Sequence, residues 1–200
     1  PAANPKEYLA DLQRLQREVQ DDLRERTRTV ADLESRLEGE WDAARQAGRT
    51  GSTYEAWRED YLVQSAAAWI VAGVLARYLE DHGLIEQVWL AGQPAGPEGG
   101  QDRLRRAQDA HEAYFRVHPS HSDREYLEHV FLELARLPGC ADLFAEDRNP
   151  LWKIGVSGDM ARRLLGFFQE RNPQTGRLLR PFTTAQGDTR FLGDLYQDLS

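Results

Sequence analysis

The residues able to do chemistry in this chain are few, and most lie in its second half. His111, His118, His121 and His129 cluster, and His118-Pro119-Ser120-His121 followed by Asp123 has the spacing of a ligand set. Imidazoles with a carboxylate suit zinc. No second motif built on Cys or Glu supports such a site, and Pro119 and Ser122 explain the same stretch as a turn between two helices, so no metal ligand is assigned. Arg171, Arg177, Arg180 and Arg190, interleaved with Phe182 and Phe191, form a modest basic–aromatic patch. Such a patch could contact phosphates of DNA, although ordinary surface arginines make the same pattern. No Ser/His/Asp or Cys/His arrangement stands out. Gly155 to Gly158 and Phe191-Leu192-Gly193 lack the strand–Gly-x-Gly–helix setting that brings backbone amides to a ligand. No catalytic and no cofactor-binding residue is assigned.

Asn149-Pro150-Leu151-Trp152 has the outline of the Asn-Pro-Pro-aromatic motif, in which an Asn side chain receives the target amine and the ring stacks on a flipped base. Leu stands at the third position here. The motif also belongs after a strand, and none is predicted before it. A proline turn with a buried tryptophan is the better reading.

The element that must position everything else is Tyr61 to Ile85, the most apolar run in the chain. Apolar or small side chains cover most of its circumference from Ala66 to Leu79, as in a helix buried on all sides. Gln64, Ser65 and Arg77 leave about a dozen clean residues, short of the roughly 20 that cross a bilayer. Gly83 suits a left-handed C-terminal stop, and Gly73 marks a close helix–helix crossing.

Before this run, apolar residues recur every three or four positions from Tyr8 to Trp41, giving one long amphipathic helix over 1–50 or a pair broken near 27–31. Arg26 interrupts the stripe, and Thr29 with Asp32 could cap a second helix. Unbroken, the helix would reach about 60 Å, against a diameter of roughly 40 Å for a compact chain of this size. Residues 51–187 form a helical core. Ser52 with Glu55 and Ser122 with Glu125 read as capping boxes, and Ser157 as a further cap. The Gly/Pro-rich stretch 91–101 reads as a flexible loop, and Thr175-Gly176 as the tip of a short hairpin. Residues 188–200 begin a last helix with Leu192, Leu195, Tyr196 and Leu199 on one face and Phe191 beside it. With no strand–helix alternation, the expected fold is all-α: an irregular multi-helix bundle around a central apolar helix.

The 200 residues carry a net charge of −8, which excludes a wholly basic nucleic-acid surface. The charge is uneven. Residues 1–150 hold 18 Lys/Arg and 28 Asp/Glu, a balance of −10, while residues 151–200 hold 7 and 5, a balance of +2. The single cysteine, Cys140, excludes an internal disulfide and fits a reducing, cytoplasmic setting. No targeting motif is visible, and the helical pattern running to Ser200 suggests a segment of a longer protein.

Several stretches resemble one family. Ala68-Trp-Ile-Val-Ala-Gly, Arg77-Tyr-Leu-Glu-Asp-His-Gly-Leu-Ile, Ala113-Tyr-Phe-Arg-Val-His-Pro-Ser-His-Ser-Asp, Asn149-Pro-Leu-Trp-Lys-Ile-Gly-Val-Ser-Gly-Asp and Asp188-Thr-Arg-Phe-Leu-Gly-Asp-Leu-Tyr-Gln-Asp-Leu-Ser are similar to the N-terminal region of PglX-type methyltransferases. These are the adenine-specific DNA methyltransferases of phage growth limitation, or type 2 bacteriophage exclusion (BREX). A similar Leu-Gly-x-x-Tyr-x-x-Leu helix leads into the catalytic domain of type I and type IIG restriction-modification methyltransferases. The resemblance implies a parent enzyme that uses S-adenosylmethionine to methylate adenine N6 in DNA. It implies that the cofactor loop and catalytic motif lie downstream, so this segment binds no cofactor. Its role would be that of an accessory domain, holding the methyltransferase domain through Phe191, Leu192, Leu195, Tyr196 and Leu199 and helping to clasp DNA. The competing expectation is an interaction module for other defence-system proteins or a phage inhibitor, with no DNA contact. No membrane partner is expected.

Overall fold

The long amphipathic pattern at the start of the chain folds as two helices. In the computed structural model, which describes residues 5–92, 100–183 and 190–200, a 3₁₀ turn leads into α1 (Leu9–Thr29), and α2 follows (Leu33–Gln46). Val30 is extended and Asp32 takes a positive φ of 65°, so the chain bends there. The cause is local. Thr27 Oγ1 donates to the Arg24 carbonyl and Thr29 Oγ1 to that of Glu25, a back-bonding that competes with helix continuation. Thr29 and Asp32 therefore do not cap α2: the Asp32 side chain makes no capping bond. Nor does Arg26 break the buried stripe, because Thr27, 2% exposed, carries it between Leu23 and Leu33.

After a turn at Gly48, α3 runs from Tyr54 to Asp81. Its N-cap is Thr53, which accepts from the Ala56 amide, one residue later than the expected box at Ser52. Ser52 instead offers its carbonyl to Trp41 Nε1. Nearly every residue from Ala66 to Glu80 is buried, against α1, α2 and the helices of the second half of the chain. This is the central helix. By length and composition α3 could span a membrane, contrary to the short clean run counted from sequence, but 83% of its apolar window is buried by the rest of the chain. At its end Gly83, with φ 65°, donates to the Glu80 carbonyl and Leu84 to that of Leu79, the left-handed stop expected there.

Residues 93–99, most of the stretch expected as a flexible loop, lie outside the described residues; α4 begins at Gly100 and runs to Val117. The Ser122–Glu125 capping box opens α5 (Asp123–Ala135) as expected. Ser157 caps α6 (Gly158–Gln169) through the Met160 amide. Between them Ile154 and Val156 are buried without forming a strand, and Trp69 Nε1 donates to the Ile154 carbonyl. A Cβ at Gly73 would overlap the Phe168 ring, so α3 and α6 cross where glycine permits it. A single bridge joins Arg171 to Leu178 around Gly176. The last helix, α7, spans Phe191–Leu199. The described residues form seven α-helices, and the all-α expectation holds.

Candidate functional site

The stripe on α7 is covered by this chain itself. Leu192, Leu195 and Leu199 are buried to 7%, 4% and 5% exposure, because α3 and α1 supply the apolar faces against which they pack. Phe191 is half-buried with its ring 5.4 Å from that of Tyr78. Only Tyr196, also half-buried, remains at a lip. The face expected to hold another domain is therefore turned inward. What α7 presents outward is one wall of a cleft of about 540 Å³. Ala68, Val71, Ala72 and Leu75 of α3 line it, with Leu143, Phe144 and Pro150 on one side and Leu192, Gly193 and Tyr196 on the other.

The four candidate arginines part company. Arg180 is 9% exposed and lies in the interior. Its guanidinium donates to Asp11 at 3.0 Å and Glu170 at 2.9 Å and sits 3.9 Å from the Phe167 ring centroid. It is occupied as a structural residue, which corrects its place in a phosphate-facing patch. Arg171 is half-buried on the bridge to Leu178, while Arg177 and Arg190 are exposed. The structure does not bring the four to one surface.

The charges that matter most to this architecture escaped the sequence reading. Arg77, 1% exposed, donates to Asp81 and to the Arg180 carbonyl, each at 3.1 Å, and also to the Phe168 carbonyl. Asp81 accepts from the Phe182 amide at 2.6 Å. One helical turn thus ties down residues 180–182, the approach to α7. Beside it, Glu80 receives the amides of Trp89, Leu90, Ala91 and Gly92 at 2.6 to 3.0 Å. Burial pushes its carboxyl above the ordinary range, and the amides of Ala91, Leu90 and Trp89 and the charge of Arg77 pull against that. Residues 91 and 92, the start of the Gly/Pro-rich stretch, are consequently fastened to α3. The only sequence signal was the presence of charges inside an apolar run.

The histidines are engaged by neighbours. His111 Nε2 is 2.7 Å from Asp123 Oδ1, His121 Nδ1 is 2.8 Å from the Tyr114 hydroxyl, and the His118 and His121 rings stack 4.6 Å apart. Among the described residues no group of three or more His, Cys, Asp or Glu could hold a metal ion. Asn149 is equally committed. Its Oδ1 accepts from the Leu151 amide and its Nδ2 donates to the Leu143 carbonyl, while Trp152 Nε1 donates to Phe144. The proline turn is as expected, but the residue it buries is Leu151 and not the tryptophan, since Trp152 is only half-buried with its Nε1 held at the Phe144 carbonyl.

Fold and site together define a helical scaffold whose buried charges fasten its own backbone and which holds a largely apolar cleft between α3 and α7. Over 98% of its length the chain is 35% identical to the Adenine-specific methyltransferase PglX of Streptomyces coelicolor, and it spans 16% of that protein. No family model matches the chain, and no solved structure matches it.

Proposed function

We propose that this chain is an N-terminal helical accessory domain of a site-specific DNA adenine-N6 methyltransferase of a cytoplasmic anti-phage defence system. The observation that carries the reading is the identity to PglX along nearly the whole chain. The parent uses S-adenosylmethionine and acts on DNA; the domain positions the methyltransferase domain and binds no cofactor itself. Exposed Arg177 and Arg190 are its candidate phosphate contacts, with Arg171 adjoining. The test is to delete residues 1–200 from the parent enzyme. Loss of adenine methylation, with S-adenosylmethionine binding retained by calorimetry, supports a positioning role. Undiminished methylation of the specific site overturns it. DNA affinity of the chain that falls steeply with salt, and less steeply in Arg177→Ala with Arg190→Ala, supports the clasp.

A second reading has its own support. The −10 balance of residues 1–150 and the open apolar cleft favour an interaction module for another defence-system protein or a phage inhibitor. Protein partners of either kind bind independently of DNA, so binding that survives nuclease treatment separates the two readings.

A further inference from the structure

We infer that the cleft between α3 and α7 is a docking groove for a basic amphipathic helix of a partner protein. This rests on the interaction reading and not on the methylation role, which the deletion above tests separately.

The floor is apolar and made of α3: Ala68 and Ala72 leave room, and Val71 and Leu75 flank them. Leu143 stands on one wall at 51% exposure, on a chain whose other large apolar residues are mostly covered. An occupant that covers it gains about 25 cal/mol for each Å² of apolar surface removed from water. A volume of about 540 Å³ admits several large side chains and is open along its length enough to be lined from three segments: α3, residues 142–150 and α7. Two of these are helices whose backbone groups are internally bonded, and Asn149 uses both ends of its amide within the chain. No strand edge is present among the described residues to add a peptide by backbone pairing. Recognition therefore falls to side chains, and a helix supplies them from one face at i, i+3, i+4 and i+7.

The rims set the partner's charge. Asp142 lines the cleft at 90% side-chain exposure, and Glu146 and Asp147 follow in the same segment. Asp198 lies on the exposed side of α7. Arg148 also lines the cleft and pairs with Asp142 at 4.0 Å and Asp147 at 3.9 Å, so that residues 142–148 keep a balance of −2. Lysine or arginine beside the apolar anchors of the partner would complement these rims and speed its approach. A second copy of this chain would bring the same acidic rims and a net charge of −8, and like charges brought together disfavour association.

The experiment uses two labelled synthetic helical peptides with one leucine face, identical except that one carries lysines and arginines and the other aspartates and glutamates elsewhere. Fluorescence anisotropy is measured against the 200-residue chain. The basic peptide is expected to bind and the acidic one not. Gly193→Trp plugs the groove: a Cβ at Gly193 meets nothing within 4 Å, and a helical glycine is replaced without backbone penalty. It should abolish binding with the melting temperature held or raised. Asp142→Lys with Glu146→Lys and Asp147→Lys, all at exposed positions, should weaken binding about tenfold or more, and the wild-type affinity should drop at high salt. Equal binding of both peptides, binding unaffected by Gly193→Trp, or no binding of the basic peptide overturns the proposal. So does concentration-dependent dimerisation that Gly193→Trp abolishes, which would assign the groove to a second copy.

Discussion

At the start of α3, Arg58 and Glu59 pair with Glu34 and Arg24 at the surface, whereas near its end Arg77 and Asp81 pair where water has no access. The first set is 22% to 37% exposed, the second 1% and 0%. Around the first, Trp41, Tyr54, Trp57 and Tyr61 form a half-exposed series of rings with neighbouring centroids 5.1 to 6.4 Å apart. Around the second are Phe168, Phe182 and three backbone carbonyl or amide partners. One helix therefore uses ion pairs in two ways. Exposed pairs contribute roughly 0–1 kcal/mol, because water competes and long side chains lose freedom. A buried pair gives little net stability over an apolar substitute, yet losing one partner leaves an uncompensated charge. The C-terminal half should thus be brittle and the N-terminal half forgiving.

The largest effect expected is for Leu195→Asp with Leu199→Asp, since both positions are buried against α3 and α1 and a buried unpaired carboxylate is very costly. The cooperative thermal transition followed by circular dichroism should be lost. A wild-type melt would mean that α7 detaches freely and that the C-terminal half of α3 does not depend on it. Next is Arg77→Ala, expected to cost about 3–5 kcal/mol in denaturant unfolding by removing the cation beside the buried Asp81 carboxylate; a cost under 1 kcal/mol would erase the contrast between the two halves. Trp69→Ala, at the join between them, should cost about 3–5 kcal/mol through lost packing against Phe131 and the lost bond to Ile154. Glu59→Ala, in the forgiving half, should change stability by no more than about 1 kcal/mol.

Away from α3, Glu125 offers a pH reading. Burial raises its carboxyl, but the hydroxyl and amide of Ser122, its own backbone amide and the charge of Arg124 together outweigh that and lower it to about 2, from an ordinary 4.5. Its stabilising contribution is then full above pH 4.5 and fades as pH falls towards 2. The gap in melting temperature between the native chain and Glu125→Ala should be widest near neutrality and close across that interval. A gap independent of pH would show that the capping box acts without its charge.

Much of this was legible from local pattern. The 3.6-residue period marked the central helix, the last helix and the amphipathic pattern at the start, Ser122, Ser157 and Gly83 marked helix ends, and Gly73 foretold the crossing that Phe168 makes. Each depends on residues a few positions apart. The fate of the α7 stripe was not legible, because periodicity says that Leu192, Leu195 and Leu199 must be covered and not by what. Arg180 was misplaced, and the anchoring role of Arg77 missed, for a related reason. Their partners lie up to 169 residues away, as with Arg180 and Asp11, and nothing local distinguishes a buried guanidinium from an exposed one. Glu80 differs again, since its partners are backbone amides, which carry no side-chain signature at all. The candidate cleft was likewise invisible, being formed by three segments that meet only after folding.

Because Leu192, Leu195 and Leu199 are buried against α3 and α1, α7 is not a loose tail on the domain. A pull applied to α7 would load the central helix through this leucine seam. A movement of α7 would be felt at Phe168 and Gly73, the contact between α3 and α6.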